Sequence, residues 1–291
     1  MTRLLLQIAA ILLSSVAAFD DALARNVFLP LASAAYGDFQ QQCLDKHLPG
    51  FQLSYHAEIL CDDQASDDTC SGYTAVNKEK KVIALVFRGT VGDDELGVEI
   101  YTTLSEEKVA FKDGGMVAPY FNRAFNRVWD DAGLGNDFML LTKLYPDYSL
   151  YITGHSLGGA LAAMGAVHVA TNKLFPAERI TYYTFGEPRT GDKTFADLLD
   201  SLIHNGHYRV IHNHDVIPHC PFLSMKYQHH ATEVWYENDM AVGDPYTICV
   251  GQEDPNCSAK NQFKLNFEPD HPHYFGIDVP VYGKSGCTNN D

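Results

Sequence analysis

The stretch Gly154-His155-Ser156-Leu157-Gly158 places a hydroxyl nucleophile between two glycines, the spacing G-x-S-x-G. Before it stands the apolar run Leu150-Tyr151-Ile152-Thr153, and after it the small-residue run Gly158-Gly159-Ala160. A strand entering a tight turn that opens into a helix holds such a serine in a strained backbone conformation with its Oγ presented. The neighbours must be small because strand and helix approach closely, a need that Gly154, Gly158 and Gly159 meet. At the start of that helix, unpaired N–H groups and the helix dipole favour negative charge, so the Leu157 N–H is a candidate donor to an oxyanion. A serine hydroxyl needs a base, and the base needs an orienting acid. On a strand–turn–helix scaffold the chain order is serine, acid, histidine. Asp215 follows the strand-like run Tyr208–His212, and Glu268-Pro269-Asp270-His271-Pro272-His273-Tyr274 supplies the base, with His271 and His273 as the two candidates.

The elements that must position these groups are legible as a pattern. Asp20 to Tyr36 carries helical spacing. Val82–Phe87 is apolar on both faces, as a strand covered on both sides must be. Tyr120 to Tyr145 predicts one long helix, Ser149–Thr153 a strand, and Leu157 to about Val169 a helix. Arg179–Phe185 and Tyr208–His212 predict strands, with a helix over Phe195–Asn205 between them. Thr232–Tyr236 and Tyr246–Val250 predict a hairpin around Gly243-Asp244. Strands alternating with helices give an α/β class, a mostly parallel sheet with helices on both faces. Such sheets place their sites at the carboxyl ends of the strands, where Ser156 and Asp215 fall.

With these segments in place, the chain resembles the class 3, or fungal-type, lipases of filamentous fungi and large nematode families. Five motifs carry the resemblance in order over roughly residues 80 to 280. They are Val86-Phe87-Arg88-Gly89-Thr90, Gly154–Ala160, Thr184-Phe185-Gly186-Glu187-Pro188-Arg189-Thr190-Gly191-Asp192, Asp215-Val216-Ile217-Pro218-His219 and Asp270–Gly276. The resemblance implies the α/β-hydrolase fold and hydrolysis of acylglycerols or related esters without metal or organic cofactor. It matches Ser156 to the nucleophile, Asp215 to the acid and His271, rather than His273, to the base. It matches Thr90 to the residue whose N–H joins that of Leu157 in the oxyanion hole. The Gly186–Asp192 motif is expected to be structural, supporting the loop beneath the triad. The chain departs from the fungal pattern just after Thr90. Where those lipases carry an amphipathic lid helix, this chain has Val91-Gly92-Asp93-Asp94-Glu95-Leu96-Gly97-Val98, acidic and glycine-containing. Such a lid exposes little apolar surface, and weak interfacial activation is expected. A feruloyl-type or other soluble-ester esterase shares the fold and triad. A lipid-binding protein without catalysis would be expected to have lost one of these residues.

Bulk properties agree. The chain has 291 residues, 46% hydrophobic and 20% charged, and no linker or repeat divides it. The expectation is one domain over residues 19–291. Met1-Thr2-Arg3, the apolar run Leu4–Leu13 and Val16-Ala17-Ala18 read as a signal peptide cleaved before Phe19. Export to the extracellular space follows, and the apolar run is too short to span a bilayer. The formal charge of −16 drops by one without Arg3, which argues against nucleic acid and anionic membranes as partners. The expected partner is an ester or lipid substrate, with at most a transient lipid-interface contact; oligomeric state is not encoded legibly.

Seven cysteines in an exported chain suggest disulfides rather than metal ligands. Cys61/Cys70 and Cys249/Cys257 each flank a short polar loop, and Cys43 and Cys287 lie near the two ends of the mature chain. Spacing leaves the connectivity open, with Cys220 left over as a buried thiol. Asn256-Cys257-Ser258 fits a glycosylation sequon. His212, His214, His229 and His230 cluster in sequence, but no H-E-x-x-H or similar metal-binding spacing occurs among the 13 histidines.

Overall fold

The computed structural model describes residues 18–61, 69–90, 106–204, 206–261 and 269–288. The expected signal peptide, apart from Ala18, and the expected lid, Gly92 to Val98, lie outside the described residues. Among the described residues, no helix is long and apolar enough to cross a membrane.

The strands are β1 (Phe51–Leu60), β2 (Thr69–Asn77), β3 (Val82–Phe87), β4 (Val109–Ala110), β5 (Met116–Val117), β6 (Ser149–His155), β7 (Ile180–Phe185), β8 (His207–His212), β9 (Glu233–Tyr236), β10 (Thr247–Cys249), β11 (His273–Tyr274) and β12 (Ile277–Asp278). Eight of them make one sheet in the order β1-β2-β3-β6-β7-β8-β9-β10. The centre, from β3 to β9, is parallel, and antiparallel pairs close both sides. The register aligns the carboxyl ends: Phe87 pairs with Gly154, His155 with Phe185, Phe185 with Val210 and His212 with Tyr236. Whatever follows β3, β6, β7 and β8 therefore emerges along one edge of the sheet.

Both faces are covered, which is why the central strands are apolar throughout. Ile83, Leu85 and Phe87 of β3 point into a core shared with the helices Pro119–Asn126, Leu134–Leu144, Leu157–Thr171 and Lys193–Leu202. The alternate residues Val82, Ala84 and Val86 meet the opposite layer, which includes Leu31, Leu44 and Tyr282. That layer begins at Phe19, buried with its ring 5.6 Å from Tyr183 and 5.3 Å from Tyr208. The helix after it runs from Asp21 to Ala34 with a π-turn at Ala24–Phe28.

One expectation needs correction. Tyr120–Tyr145 is not one helix. Pro119–Asn126 passes into a π-turn at Arg127–Asp131, Gly133 takes φ +79°, and a second helix covers Leu134–Leu144. Apolar residues at helical spacing on both sides of the break disguise it, because both helices pack on the same face of the sheet. The β1–β2 hairpin was not anticipated at all. The disulfides pair as Cys43–Cys287, Cys61–Cys70 and Cys249–Cys257, leaving Cys220 as a free thiol among the described residues. Burial pushes the Cys220 thiol up to about 11. Asn256 is exposed, its Nδ2 donating to Asp254 Oδ1 at 2.9 Å.

Candidate active site

Ser156 sits between the end of β6 and the helix Leu157–Thr171, with φ 58° and ψ −131°. This is a conformation that costs an L-residue about 1–3 kcal/mol and persists only where the surroundings enforce it. The enforcement is close packing. A Cβ on Gly154 would lie 2.1 Å from the Gly158 carbonyl oxygen, and one on Gly158 would lie 2.3 Å from the Phe87 carbonyl oxygen. The first turn of the helix is thereby pressed against Phe87–Gly89, the segment that leads into half-buried Thr90. The Arg88 side chain anchors that segment from behind. It pairs with Glu58 at 2.9 Å and donates to the Thr69 hydroxyl at 2.7 Å.

Around Ser156 three buried side chains form one hydrogen-bonded line. His271 Nε2 lies 2.9 Å from Ser156 Oγ, and His271 Nδ1 lies 3.0 and 2.9 Å from the two oxygens of Asp215. A carboxylate can only accept, so the imidazole proton is on Nδ1 and Nε2 accepts from the serine hydroxyl. Asp215 follows β8 in a turn closed by its own N–H on the His212 carbonyl, at 3.0 Å. It also accepts from Ile217 N–H at 2.9 Å and from the Tyr274 hydroxyl at 2.6 Å. Burial opposes its ionisation, but the His271 imidazole and these donors outweigh burial and hold the carboxyl below its ordinary range. Burial, and Asp215 beside it, push the Tyr274 phenol well up, so it stays a donor.

His273, the competing base, is partly exposed and turned away, its Nδ1 at 2.8 Å from the Pro269 carbonyl. Neither do His212, His214 and His229 converge with His230. His212 Nδ1 meets the Asp270 carbonyl at 3.0 Å, His214 stands 3.9 Å from Asp270 Oδ2, and His229 Nε2 meets the Pro218 carbonyl at 2.6 Å.

One residue of the site was passed over in the sequence, although it lies inside the decisive motif. His155 is fully enclosed. Its Nε2 lies 2.9 Å from the His271 carbonyl, its Nδ1 lies 2.8 Å from the Tyr36 hydroxyl, and its ring stacks on His271 at 4.8 Å. Burial, with His271 adjacent, holds its pKa down to about 3. The neutral ring therefore donates from Nε2 and accepts at Nδ1, tying the backbone of His271 to the N-terminal helical layer. Tyr274 was likewise present in a motif without a role; its distance of three residues from His271 was the available signal.

The Gly186–Asp192 motif proves to be a junction. Gly186, at φ +59°, leaves room that a Cβ would fill within 3.0 Å of both Asp215 Oδ2 and His271 Nδ1. Buried Glu187 accepts from Tyr182 and Thr184 at 2.5 and 2.6 Å. Arg189 makes a two-pronged pair with Glu253 at 2.8 and 2.7 Å and donates to the His219 and Pro221 carbonyls.

The profile of the family described as "Lipase (class 3)" matches residues 84–225. The Caenorhabditis elegans protein named Lipase ZK262.3 is 32% identical over 296 aligned residues, covering 90% of this chain and 81% of that protein. The chain belongs to the class 3 lipase family. A Rhizopus niveus lipase is 27% identical over 72% of this chain and 51% of its own length. Among solved structures, the lipase from Rhizopus microsporus var. chinensis superposes with a TM-score of 0.76 at 26% identity, covering 90% of each chain. The Rhizomucor miehei triacylglyceride lipase superposes at 0.75 with 22% identity, over 87% of this chain and 94% of that one, a likeness of fold. This class 3 lipase thus has the α/β-hydrolase fold and is a lipase-like serine ester hydrolase.

Proposed function

We propose that this class 3 lipase is a secreted carboxylic-ester hydrolase acting on acylglycerols, with Ser156 as nucleophile, His271 as base and Asp215 as the orienting acid. The observation that carries the reading is the buried line from Ser156 Oγ through His271 to Asp215, set on a strained turn at the head of a helix. His271 Nε2 takes the serine proton as Oγ attacks the ester carbonyl. Asp215 holds the tautomer and stabilises the imidazolium. The oxyanion is received by the N–H groups of Leu157 and Thr90, donors of a kind worth about 10²–10³ each in rate. His271 then protonates the departing alkoxide, and water cleaves the acyl-enzyme by the same route. Export is supported by three disulfides, which persist in oxidising compartments.

A panel of short- and long-chain p-nitrophenyl esters, triacylglycerol and phospholipid tests this, together with a serine-directed phosphonate. Turnover of acylglycerol and phosphonylation at Ser156 are expected. Binding of lipid with no turnover of any ester would instead identify a lipid-binding protein, and turnover confined to aromatic soluble esters a feruloyl-type esterase. Activity is expected to rise smoothly through the solubility limit of the substrate; a sharp jump there would contradict the acidic Gly92–Val98 segment as a weakly activating lid.

A further inference from the structure

The two loops that carry Asp215 and His271 are tied at a second point. Asp215 ends the run Asn213-His214-Asp215 that leaves β8, and Asp270 directly precedes His271. One residue before the Asp215–His271 contact on each loop, the His214 N–H donates to Asp270 Oδ2 at 3.1 Å. The Asn213 side-chain Nδ2 lies 3.3 Å from each oxygen of the same carboxylate, and His214 Nδ1 stands 3.9 Å from it. The Asp270 side chain is only 5% exposed. A carboxylate withdrawn from water has to be met by donors, and here they come from the loop that carries the acid.

That loop offers a firm seat. Asn213 takes φ 41°, a left-handed conformation that asparagine tolerates better than most side chains. Its N–H donates to the Tyr236 carbonyl at 2.6 Å, and its carbonyl accepts from Trp235 Nε1 at 2.8 Å, so the turn is fixed on β9. The His212 ring adds a donation from Nδ1 to the Asp270 backbone carbonyl at 3.0 Å. On the other side of the base, the Tyr274 hydroxyl reaches Asp215 at 2.6 Å. His271 is thus held between two cross-ties, one residue before it and three after it. A lone hydrogen bond from Asp215 would leave the imidazole free to swing about that contact. A second rung one residue away fixes distance and rotation together. Catalytic groups work only when held within about 0.5 Å of the productive geometry.

We propose that Asp270 is a positioning residue for ester hydrolysis: its carboxylate locks the His271 loop to the Asn213–His214 turn and so aligns the imidazole between Asp215 and Ser156. The inference rests on the reading of Ser156, His271 and Asp215 as the catalytic line. Asp270 acts through the backbone of His271 and not on the ester.

Each variant is assayed on p-nitrophenyl butyrate, with active sites counted by titration with a p-nitrophenyl phosphonate so that unfolded chain does not contribute. Asp270→Ala is expected to lower kcat per titrated site by about 10–100-fold with KM changed by less than about threefold, because acylation and deacylation both use His271. Asp270→Asn keeps an oxygen for the His214 N–H and, with the Asn213 amide turned over, a partner for that side chain. It is expected to restore most of the rate that Asp270→Ala loses. Asn213→Gly keeps the positive φ while deleting the amide, and a loss of roughly three- to tenfold in kcat is expected; this variant decides the matter if Asp270→Ala does not fold. Added to Asp270→Ala, Asn213→Gly should have little further effect, since both remove one contact. A lowered thermal midpoint with kcat per titrated site unchanged would make Asp270 merely structural and overturn the proposal. Equal losses in Asp270→Ala and Asp270→Asn would trace the effect to charge instead of contact, and would also overturn it. If the phosphonate labels Ser156 and Asp270→Ala keeps its kcat, this proposal alone falls. If Ser156→Ala still turns over ester, the catalytic reading falls and takes this proposal with it.

Discussion

Two buried polar networks flank the helix that follows Ser156, and they are completed differently. Around Asp215 the partners are in place: its oxygens take the His271 proton, the Tyr274 hydroxyl and the Ile217 N–H, and both nitrogens of His155 are engaged. In the second network Glu187 is surrounded by donors, His207 faces Asp200 at 3.4 Å and the Arg209 guanidinium faces Glu233 at 3.5 Å. A network complete in itself is organised before the substrate arrives, which is what electrostatic stabilisation of a transition state requires. The second network ties the helix Lys193–Leu202, β8 and β9 to one another. The first should therefore answer perturbation in rate, and the second in stability.

The largest effect expected from this contrast is at Ser156, the proposed nucleophile. Ser156→Ala should lower kcat/KM on p-nitrophenyl butyrate by about 10⁴–10⁶-fold while leaving the thermal midpoint nearly unchanged. Asp200→Asn, which weakens the pair with His207, should do the reverse, with turnover retained and the thermal midpoint lowered. If Asp200→Asn abolished turnover in a folded protein, the two networks would not be separable. Gly158→Ala comes next. Its Cβ would meet the Phe87 carbonyl oxygen at 2.3 Å and Gly89 N at 3.0 Å, all backbone, so the Arg88–Thr90 segment must move away from Leu157. Displacing the Thr90 N–H, proposed as one oxyanion donor, should lower kcat by about 10²–10³-fold with little change in KM. Tyr274→Phe removes one donor from a charged acceptor, worth about 1.5–3 kcal/mol in a folded protein. A loss of about tenfold or more in kcat is expected. An unchanged kcat would mean that Ile217 N–H and His271 alone are enough to hold Asp215.

The same contrast explains what could be read from the sequence. Ser156, Asp215 and the strands around them were legible because their signals are local: an apolar strand, a run of small residues, an acid at a strand end. Choosing His271 over His273 needed the motif register, since both stand in the same loop and differ only in which way the chain turns. The three disulfide pairs agreed with spacing because two of them close short loops. The break at Gly133 was hidden, since apolar periodicity reports the face a helix buries and not whether the helix is continuous. The role of His155 was hidden for another reason. Its partners, Tyr36 and the His271 carbonyl, are 119 and 116 residues away, and only the fold brings them together. The pairing of His230 with Glu187, 43 residues away, is illegible on the same grounds.

His155 gives the smallest and most specific effect. Its pKa is held down to about 3 by burial and by His271 beside it, against 6.5 for a free imidazole. Between those values the unfolded chain binds a proton at this position and the folded chain does not. Stability therefore falls as pH falls from 6.5 toward 3, by about 1.4 kcal/mol per pH unit for this one group, and is fully present above 6.5. His219, held down to about 4 by burial and by Arg189, adds a parallel contribution. His155→Gln removes one proton from this balance without emptying the space beside His271. Urea unfolding at several values between pH 4.5 and 7.5 should give a shallower acid limb for the variant, by one proton's worth of slope. Identical slopes would mean that the folded chain protonates His155 near its ordinary pKa, and the stacked, neutral ring that holds the His271 backbone would have to be abandoned.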